Sequence, residues 1–125
     1  MFKDTKAFSG FAVDDIDEAK RFYGETLGIE VTVEPPHGLL TLHIAGDRAT
    51  LVYPKPDHTP ADFTILNFPV DDIDAAVDTL AERGVEFERY DEFEQDEKGI
   101  FRQEGPDIAW FKDPAGNTLS VLQLD

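Results

Sequence analysis

A pentapeptide, Val-Asp-Asp-Ile-Asp, occurs twice in the sequence and constrains the fold more than any other feature. The first copy begins at Val13 and the second at Val70, an offset of 57 residues. At the same offset Phe8 aligns with Ile65, and each copy follows a strand-like run and opens a helix-like one. Similarity at a fixed spacing indicates a duplicated structural unit. The chain is therefore predicted to be a tandem repeat.

The length of the chain limits how the two copies can fold. Its 125 residues allow one domain, or two halves that share one core, rather than two ordinary independent domains. We predict a single domain over residues 1–125, built from the repeat units 1–56 and 61–125. The proline-rich segment 54–60 between them is the best candidate for a linker.

Hydrophobic periodicity predicts the same βαβββ order in both units. In the first unit we expect a strand, a helix and three strands, at residues 6–13, about 14–27, 29–34, 39–45 and 48–53. In the second unit the corresponding segments are 63–70, 72–83, 85–89, 108–112 and 118–124. The pairs Pro35-Pro36 and Gly46-Asp47 are predicted breaks between strands.

The ends of the predicted helices carry recognisable signals. Asp14 or Asp15 can accept hydrogen bonds from the free N–H groups of the first helical turn, and the negative charge complements the helix dipole. Gly28 and Gly84 stand where a left-handed residue commonly ends a helix. The segment 113–117, Asp-Pro-Ala-Gly-Asn, has the composition of a turn.

Composition excludes several classes of function. The net charge of −16 is unsuited to a nucleic acid or an anionic membrane, so we expect neither as a partner. The absence of Cys excludes disulfides, thiolate nucleophiles and Cys-ligated zinc, and leaves the redox compartment open. No apolar run is long enough to span a bilayer, and the N-terminal residues lack the apolar stretch of a signal peptide. We expect an acidic cytoplasmic protein.

The segment 90–106 is polar and acidic, but it carries Tyr90, Phe93, Ile100 and Phe101 at intervals. A simple solvated loop needs no such residues, so we interpret the segment as a cover over the rest of the unit. Two hypotheses remain for its acidic part. It is either a solvated loop or a mobile lid that places its aromatic side chains over a pocket.

The paired units, the entry motif that begins at Val13 and the closing motif that begins at Trp110 resemble the vicinal oxygen chelate superfamily. This superfamily includes glyoxalase I, the bleomycin-resistance proteins and the extradiol dioxygenases. The resemblance covers almost the whole chain. It implies an α+β, glyoxalase-like fold in which two tandem βαβββ units form a half-rolled mixed sheet around a concave cleft. Members commonly close this cleft across a two-fold dimer, so we expect a homodimer.

The resemblance also shows where a metal site would lie. Metal-using members place a His five residues before each entry motif, which in this chain corresponds to Phe8 and Ile65. Their remaining ligands, usually carboxylates, correspond to Ser120 and, when the glycines of the closing turns are aligned, to Thr50. Two hydrocarbon side chains and two hydroxyls cannot replace imidazoles and carboxylates. We therefore expect no metal site and no cofactor.

Of the three histidines, His43 alone lies within a predicted strand. Alternation along that strand places Leu42 toward the helices and Thr41 and His43 on the opposite, concave side. A lone His in such a place is usually a hydrogen-bonded packing residue. A general base would need a partner carboxylate or nucleophile, and the sequence does not identify one. The catalytic residue is therefore unknown, with His43 as the candidate.

The same alternation predicts what lines the cleft. In the family's closing motif Phe111 packs against the helices, which turns Trp110 toward the face that it shares with Ser120. The lining is largely apolar with a few polar groups, as in small-molecule sites. The predicted ligand-binding residues are Phe8, His43, Thr50, Ile65, Asn67, Trp110, Ser120 and Leu122. Trp110 is the strongest single candidate.

The function expected from these features is metal-independent binding of a small apolar or aromatic molecule in the concave cleft, as in drug-resistance members of the superfamily. The alternative is an enzyme: a glyoxalase-like lyase or isomerase, or a dioxygenase, that acts through an unrecognised metal site or through His43. The loss of every metal-ligand position favours binding. The sequence does not identify the ligand.

Overall fold

In the computed structural model the chain divides into two compact units, Met1–Thr59 and Pro60–Asp125, and the boundary lies in the predicted linker 54–60. Each unit combines one sheet with helical segments, so the predicted α+β class is confirmed. The structure describes four stretches of the chain: residues 1–35, 38–46, 48–102 and 105–124. Parts of two predicted breaks and of the acidic segment lie outside the described residues, namely Pro36, Asp47, Gln103 and Glu104.

The first unit has the predicted βαβββ order. Its elements are β1 (Gly10–Val13), α1 (Ile16–Arg21) with a following π-helical turn (Phe22–Thr26), β2 (Glu30–Glu34), β3 (Leu39–His43) and β4 (Thr50–Pro54). The strand order is β1-β4-β3-β2, with β1 parallel to β4 and the other neighbours antiparallel. Strand β1 is shorter than the predicted 6–13, because the Ala7 N–H turns back to bond the Thr5 carbonyl.

The second unit lacks one predicted strand. Its elements are β5 (Thr64–Val70), α2 (Ile73–Glu82), β6 (Asp107–Lys112) and β7 (Thr118–Gln123), with β5 parallel and β6 antiparallel to the central β7. The strand predicted at 85–89 is wrong, since Phe87 there makes an isolated bridge to Phe111. The Glu88 carbonyl accepts a hydrogen bond from the Gln95 side chain, which prevents the ladder from continuing.

The predicted helix boundaries agree with the structure. Asp15 accepts hydrogen bonds from the first turn of α1, and Asp72 does the same for α2. Gly28 and Gly84 follow the helical segments with φ values of 73° and 90°. Such positive values favour glycine, which has no Cβ to clash with the backbone. No helix within the described stretches is long and apolar enough to cross a bilayer.

The cap of α2 gives a first test of the fold. Asp72 Oδ1 accepts a hydrogen bond from the Ala75 N–H at 3.1 Å. We expect Asp72→Ala to lower the free energy of unfolding by about 1 kcal/mol, because one N–H of the first turn loses its acceptor. Asp71→Ala removes the same charge one residue earlier and is the matched control. Urea unfolding of both variants makes the comparison, and equal midpoints would contradict the assigned cap.

In each unit the apolar core lies mainly on one side of the sheet, although Thr118 and Ser120 of β7 are buried on the other side. In the first unit the buried residues include Leu40, Leu42 and Val52 of the sheet and Tyr23 of the π-helical turn, which contacts the Phe11 ring. In the second unit they include Ala109, Phe111, Leu119 and Val121 of the sheet and Ile73 and Val77 of α2. Helix α2 packs against β6 and β7. The other side of the second sheet carries the candidate site.

Candidate functional site

Four of the predicted ligand-binding residues lie together on one face of the second sheet. Asn67 on β5 pairs with Ser120 on β7, and Ser120 pairs with Trp110 on β6, so their side chains are neighbours. The Ser120 hydroxyl donates a hydrogen bond to Asn67 Oδ1 at 2.6 Å. Leu122 follows two residues along β7, opposite Ile108. We call Asn67, Trp110, Ser120 and Leu122 the Trp110 face.

The orientation of Trp110 follows from its neighbour in sequence. Phe111 and Leu119 are cross-strand partners, and both are fully buried on the core side of the sheet. Adjacent residues of a strand point to opposite sides, so Trp110 points away from this core. The predicted orientation of Trp110 is therefore confirmed. Contact between Trp110 and a ligand stays a prediction.

Aromatic side chains of the acidic segment cover the Trp110 face. The Phe93 ring stacks on Trp110, with centroids 5.2 Å apart and planes inclined by 15°. Tyr90 meets Trp110 edge-on at 5.4 Å, and Phe101 lies 4.8 Å from Phe93. We call these four residues the aromatic cluster. The interpretation of the segment as a cover agrees with these contacts, whereas its mobility stays a prediction.

The Gln95 side chain joins the backbone groups of Glu88, Tyr90 and Gly99, which we call the base of the cover. Its side-chain amide donates hydrogen bonds to the carbonyls of Glu88 and Gly99 and accepts one from the Tyr90 N–H. Residues 91–94 lie between Tyr90 and Gln95 and include a turn in which the Phe93 N–H bonds the Tyr90 carbonyl. Sequence reasoning missed this role, because hydrogen bonds from a side chain to distant backbone groups leave no periodic signal.

Ion pairs tie the later part of the cover to helix α2 and to the start of β6. They join Arg102 to Asp74, Asp96 and Asp107, and Lys98 to Asp74 and Asp78. The hydrogen bond from Arg102 lowers the pKa of Asp74. Burial acts to raise the pKa of Asp96, but hydrogen bonds from the Ile100 N–H, Arg102 and the Lys98 N–H outweigh it, and the pKa falls below its ordinary value. Both carboxylates therefore remain charged partners of these cations.

The aromatic cluster carries two polar groups, the Tyr90 hydroxyl and the Trp110 indole N–H. Burial, followed by the charges of Glu88 and Glu92, raises the pKa of the Tyr90 hydroxyl, so this group stays protonated and can donate. In the part of the chain that the structure describes, the Tyr90 hydroxyl and the Trp110 indole N–H make no hydrogen bond to other protein groups. A hydrogen bond from either group to a ligand would therefore break no hydrogen bond within the described residues.

Thr50 does not lie on the expected side of the first sheet, and that prediction is wrong. Thr50 pairs with Leu42, and Leu51 pairs with Thr41. Thr50 therefore shares the buried side with Leu42, and its hydroxyl contacts the Arg48 carbonyl. The face of Thr41 carries Leu51 instead, because the alignment of the turn glycines placed the strand one residue out of register.

Phe8 and Ile65 occupy equivalent sequence positions, but neither lies in a regular ladder. Phe8 precedes β1 and is 73% exposed. The register between β5 and β7 shifts between Thr64 and Leu66, which leaves Ile65 without a partner on β7. The alternation that placed both residues on the ligand side assumes an unbroken strand, so it does not hold here. Their contact with a ligand stays a prediction.

His43 is an exposed residue at the end of β3. Its Nε2 atom lies 3.0 Å from the Thr32 hydroxyl, and its cross-strand partner is Glu30. Sequence reasoning missed Glu30, although the pairing of the two strand patterns could have placed it there. Among the described residues, no ion pair joins His43 to a carboxylate. The arrangement is a surface hydrogen bond rather than an oriented general base.

The residues at the superfamily's metal positions do not fit a metal ion. Phe8 and Ile65 offer hydrocarbon, as does Leu51, which takes the place expected of Thr50. The Ser120 hydroxyl already donates to Asn67. In the described stretches no group of three or more His, Cys, Asp or Glu side chains is placed to hold a metal ion. A divalent ion needs several such donors around it.

Comparison with protein families matches residues 8–121 to the Glyoxalase/Bleomycin resistance protein/Dioxygenase superfamily. The chain belongs to this superfamily. The resemblance inferred from the entry and closing motifs is thus confirmed. Membership in this superfamily also explains the repeated order of strands and helices in the two units. The comparison with functionally curated proteins gave no match.

Solved structures of superfamily members share the fold. An antibiotic binding protein, TnmS3 from Streptomyces sp. CB03234, is 28% identical, with a TM-score of 0.73 and 98% of both chains covered. A glyoxalase/bleomycin resistance protein from the same organism is also 28% identical, with a TM-score of 0.65 over 94% of this chain and 100% of that one. A glyoxalase family protein from Bacillus anthracis, at 20% identity and a TM-score of 0.71 with both chains fully covered, supports the fold alone.

Proposed function

We propose that this superfamily member binds a small apolar or aromatic molecule without a metal ion, and that the Trp110 face is the binding surface. The observation that carries the proposal is the set of aromatic rings around Trp110 beside the hydrogen-bonded pair of Ser120 and Asn67. Aromatic rings supply large apolar contact area, and a few polar groups fix the orientation of a ligand. This combination is suited to recognition of a flat molecule.

The antibiotic-binding relative supports the same class of function. TnmS3 is similar to this chain over almost its whole length and binds an antibiotic. We infer that the ligand of this chain is likewise a small organic compound, held by contact rather than converted. Among the described residues the exposed His43 forms no ion pair with a carboxylate, which does not favour the enzymatic alternative. The homodimer and the cytoplasmic location stay predictions.

Metal independence can be tested by chelation. We expect EDTA treatment to change neither the melting temperature nor the affinity for an aromatic compound, because the positions of Phe8, Leu51 and Ile65 supply no donor atoms. Elemental analysis should show no stoichiometric metal. A melting temperature that falls with EDTA and returns with one divalent ion would contradict the proposal.

Binding itself can be measured through the single Trp of the chain. Metal-stripped protein would be titrated with neutral aromatic compounds, such as 2-naphthol, and with aliphatic alcohols of similar size. We expect saturable changes of Trp110 fluorescence with the aromatic compounds and much weaker changes with the aliphatic ones. A fluorescence response that never saturates for either class would count against a binding site on this face.

A further inference from the structure

We propose that Phe93 occupies the ring-binding subsite of the Trp110 face, and that a planar aromatic ligand stacks on Trp110 only after the turn 91–94 has swung away. This inference rests on the proposed function and adds the class of ligand and the side chain that competes with it. We call the conformation in which Phe93 stacks on Trp110 the closed form. In this form a side chain of the protein occupies the position of the ligand. Binding is therefore a replacement of one stacked ring by another.

The geometry of the Phe93 contact is that expected for a ring ligand. Phe93 and Trp110 are nearly parallel, at 15°, with a centroid separation of 5.2 Å, whereas Tyr90 meets Trp110 at 75°. A nearly parallel, offset stack is a favourable arrangement for two aromatic rings. Phe93 thus covers the ring plane of Trp110, the surface that a flat ligand would use, and Tyr90 forms an edge-on side of the subsite.

The Phe93 side chain is more exposed than the other three members of the aromatic cluster. The residue is 38% exposed. The other members of its turn are Asp91, Glu92 and Glu94, and these acidic residues provide no apolar anchor. The turn is stabilised by a hydrogen bond from the Phe93 N–H to the Tyr90 carbonyl. The Phe93 ring connects this turn to Trp110 on the sheet.

The base of the cover can stay folded while Phe93 moves. Gln95 bonds the Glu88 and Gly99 carbonyls and the Tyr90 N–H, all outside the turn 91–94. The ion pairs of Arg102 lie further along the segment. A rotation of the turn therefore exposes the Trp110 ring without breaking these contacts.

The surroundings of the subsite define the ligand class. Carboxylates of Asp91, Glu92 and Glu94 flank Phe93 in sequence, and the chain has a net charge of −16, so an anionic ligand would be repelled. The pair of Ser120 and Asn67 offers a hydrogen-bonding partner beside the Trp110 ring. The subsite should take a neutral or cationic planar aromatic compound with at least one polar substituent.

The test uses 2-naphthol as the probe and calorimetry as the readout. Because Phe93 competes with the ligand, the closed form lowers the apparent affinity of the wild type for the ligand. Removal of the Phe93 ring should raise the apparent affinity by the same factor. We expect Phe93→Ala to bind 2-naphthol about three- to tenfold more tightly than the wild type, given the strength of an aromatic pair. Phe93→Leu keeps an apolar side chain on the turn and should change affinity in the same direction.

A control variant and a spectroscopic measurement test whether the change in affinity comes from loss of the Phe93 stack. Phe63 is 66% exposed and lies outside the aromatic cluster, so Phe63→Ala is the matched control and should leave affinity unchanged. Without ligand, the near-UV circular dichroism of Trp110 should change in Phe93→Ala and not in Phe63→Ala, because only the former removes the stacked ring.

The outcomes separate this inference from the proposed function. Tighter binding by both Phe93 variants supports the inference, as does binding by these variants where the wild type shows none. Wild-type binding with unchanged or weaker affinity in both variants overturns the inference and leaves the proposed function standing. Absence of binding in the wild type and in every variant overturns both.

Discussion

Replacement of Trp110 by alanine is expected to reduce the affinity for a planar aromatic ligand at least 30-fold, or about 2 kcal/mol, the loss typical of an aromatic anchor. The reason is the position of Trp110 between the polar pair Ser120–Asn67 and the ring of Tyr90. Its side chain provides the broad apolar surface on which a flat ligand would lie. Calorimetry is the appropriate measurement, since the variant has lost its single Trp.

A conservative substitution separates recognition from folding. Trp110→Phe retains a ring on which a flat ligand can stack and should keep part of the affinity. Thermal unfolding would show that Trp110→Ala is folded, since this side chain lies outside the buried side of the sheet that contains Phe111. Full affinity in a folded Trp110→Ala protein would mean that the ligand binds elsewhere.

Replacement of Asp113 by alanine should lower the free energy of unfolding by about 3 kcal/mol. This carboxylate is buried in the turn between β6 and β7, where Oδ1 accepts hydrogen bonds from the N–H groups of Ala115 and Asn117 at 3.0 and 2.8 Å. Oδ2 accepts another from the buried Asn117 side chain at 3.0 Å. The substitution leaves these donors without their acceptor, and buried donors without partners are costly.

The measurement for Asp113→Ala is thermal and urea unfolding beside Asp62→Ala, which removes an exposed carboxylate of the same unit. The melting temperature of Asp113→Ala should fall by roughly 10 °C. Asp113→Asn keeps one acceptor oxygen and should give an intermediate value. Similar stabilities for the two alanine variants would show that this turn is not held by the Asp113 carboxylate.

The sequence predicted the Trp110 face well because the turn between β6 and β7 determines how these two strands pair. The turn at 113–117 has recognisable residue types, and strands that leave such a turn pair residues at equal distances from it. Trp110 and Ser120 follow from that pairing. The glycine of this turn, Gly116, has a φ of 90°, as the composition of the turn predicted.

The residue of the first unit that corresponds to Ser120 was predicted wrongly, because the register of its strand was assigned from the turn glycines. Gly10 pairs with Leu51 as Asn67 pairs with Ser120, so Leu51 is the structural counterpart of Ser120. The alignment of Gly46 with Gly116 gave Thr50 instead. A difference of one residue between the two turns moves every side chain of a strand to the other side of the sheet.

Other errors came from interactions that a periodic pattern cannot show. The segment 85–89 has the composition of a strand. However, the Gln95 side chain donates a hydrogen bond to the Glu88 carbonyl, and the chain continues into the cover instead of a strand. The register shift at Ile65 likewise leaves no signal in the order of apolar residues. The contact of Phe93 with Trp110 required the folded chain, because residues 91–94 form no strand or helix whose periodicity could have related them to β6.

The pairings within the two sheets also show how the repeated halves have diverged. The positions equivalent to Asn67, Ser120 and Trp110 in the first unit are Gly10, Leu51 and Thr41. Only one of these two equivalent triplets carries an indole and an amide. Under the proposed function, the recognition chemistry of the chain therefore resides in one copy of the repeat, and the two copies differ in the chemistry of equivalent positions.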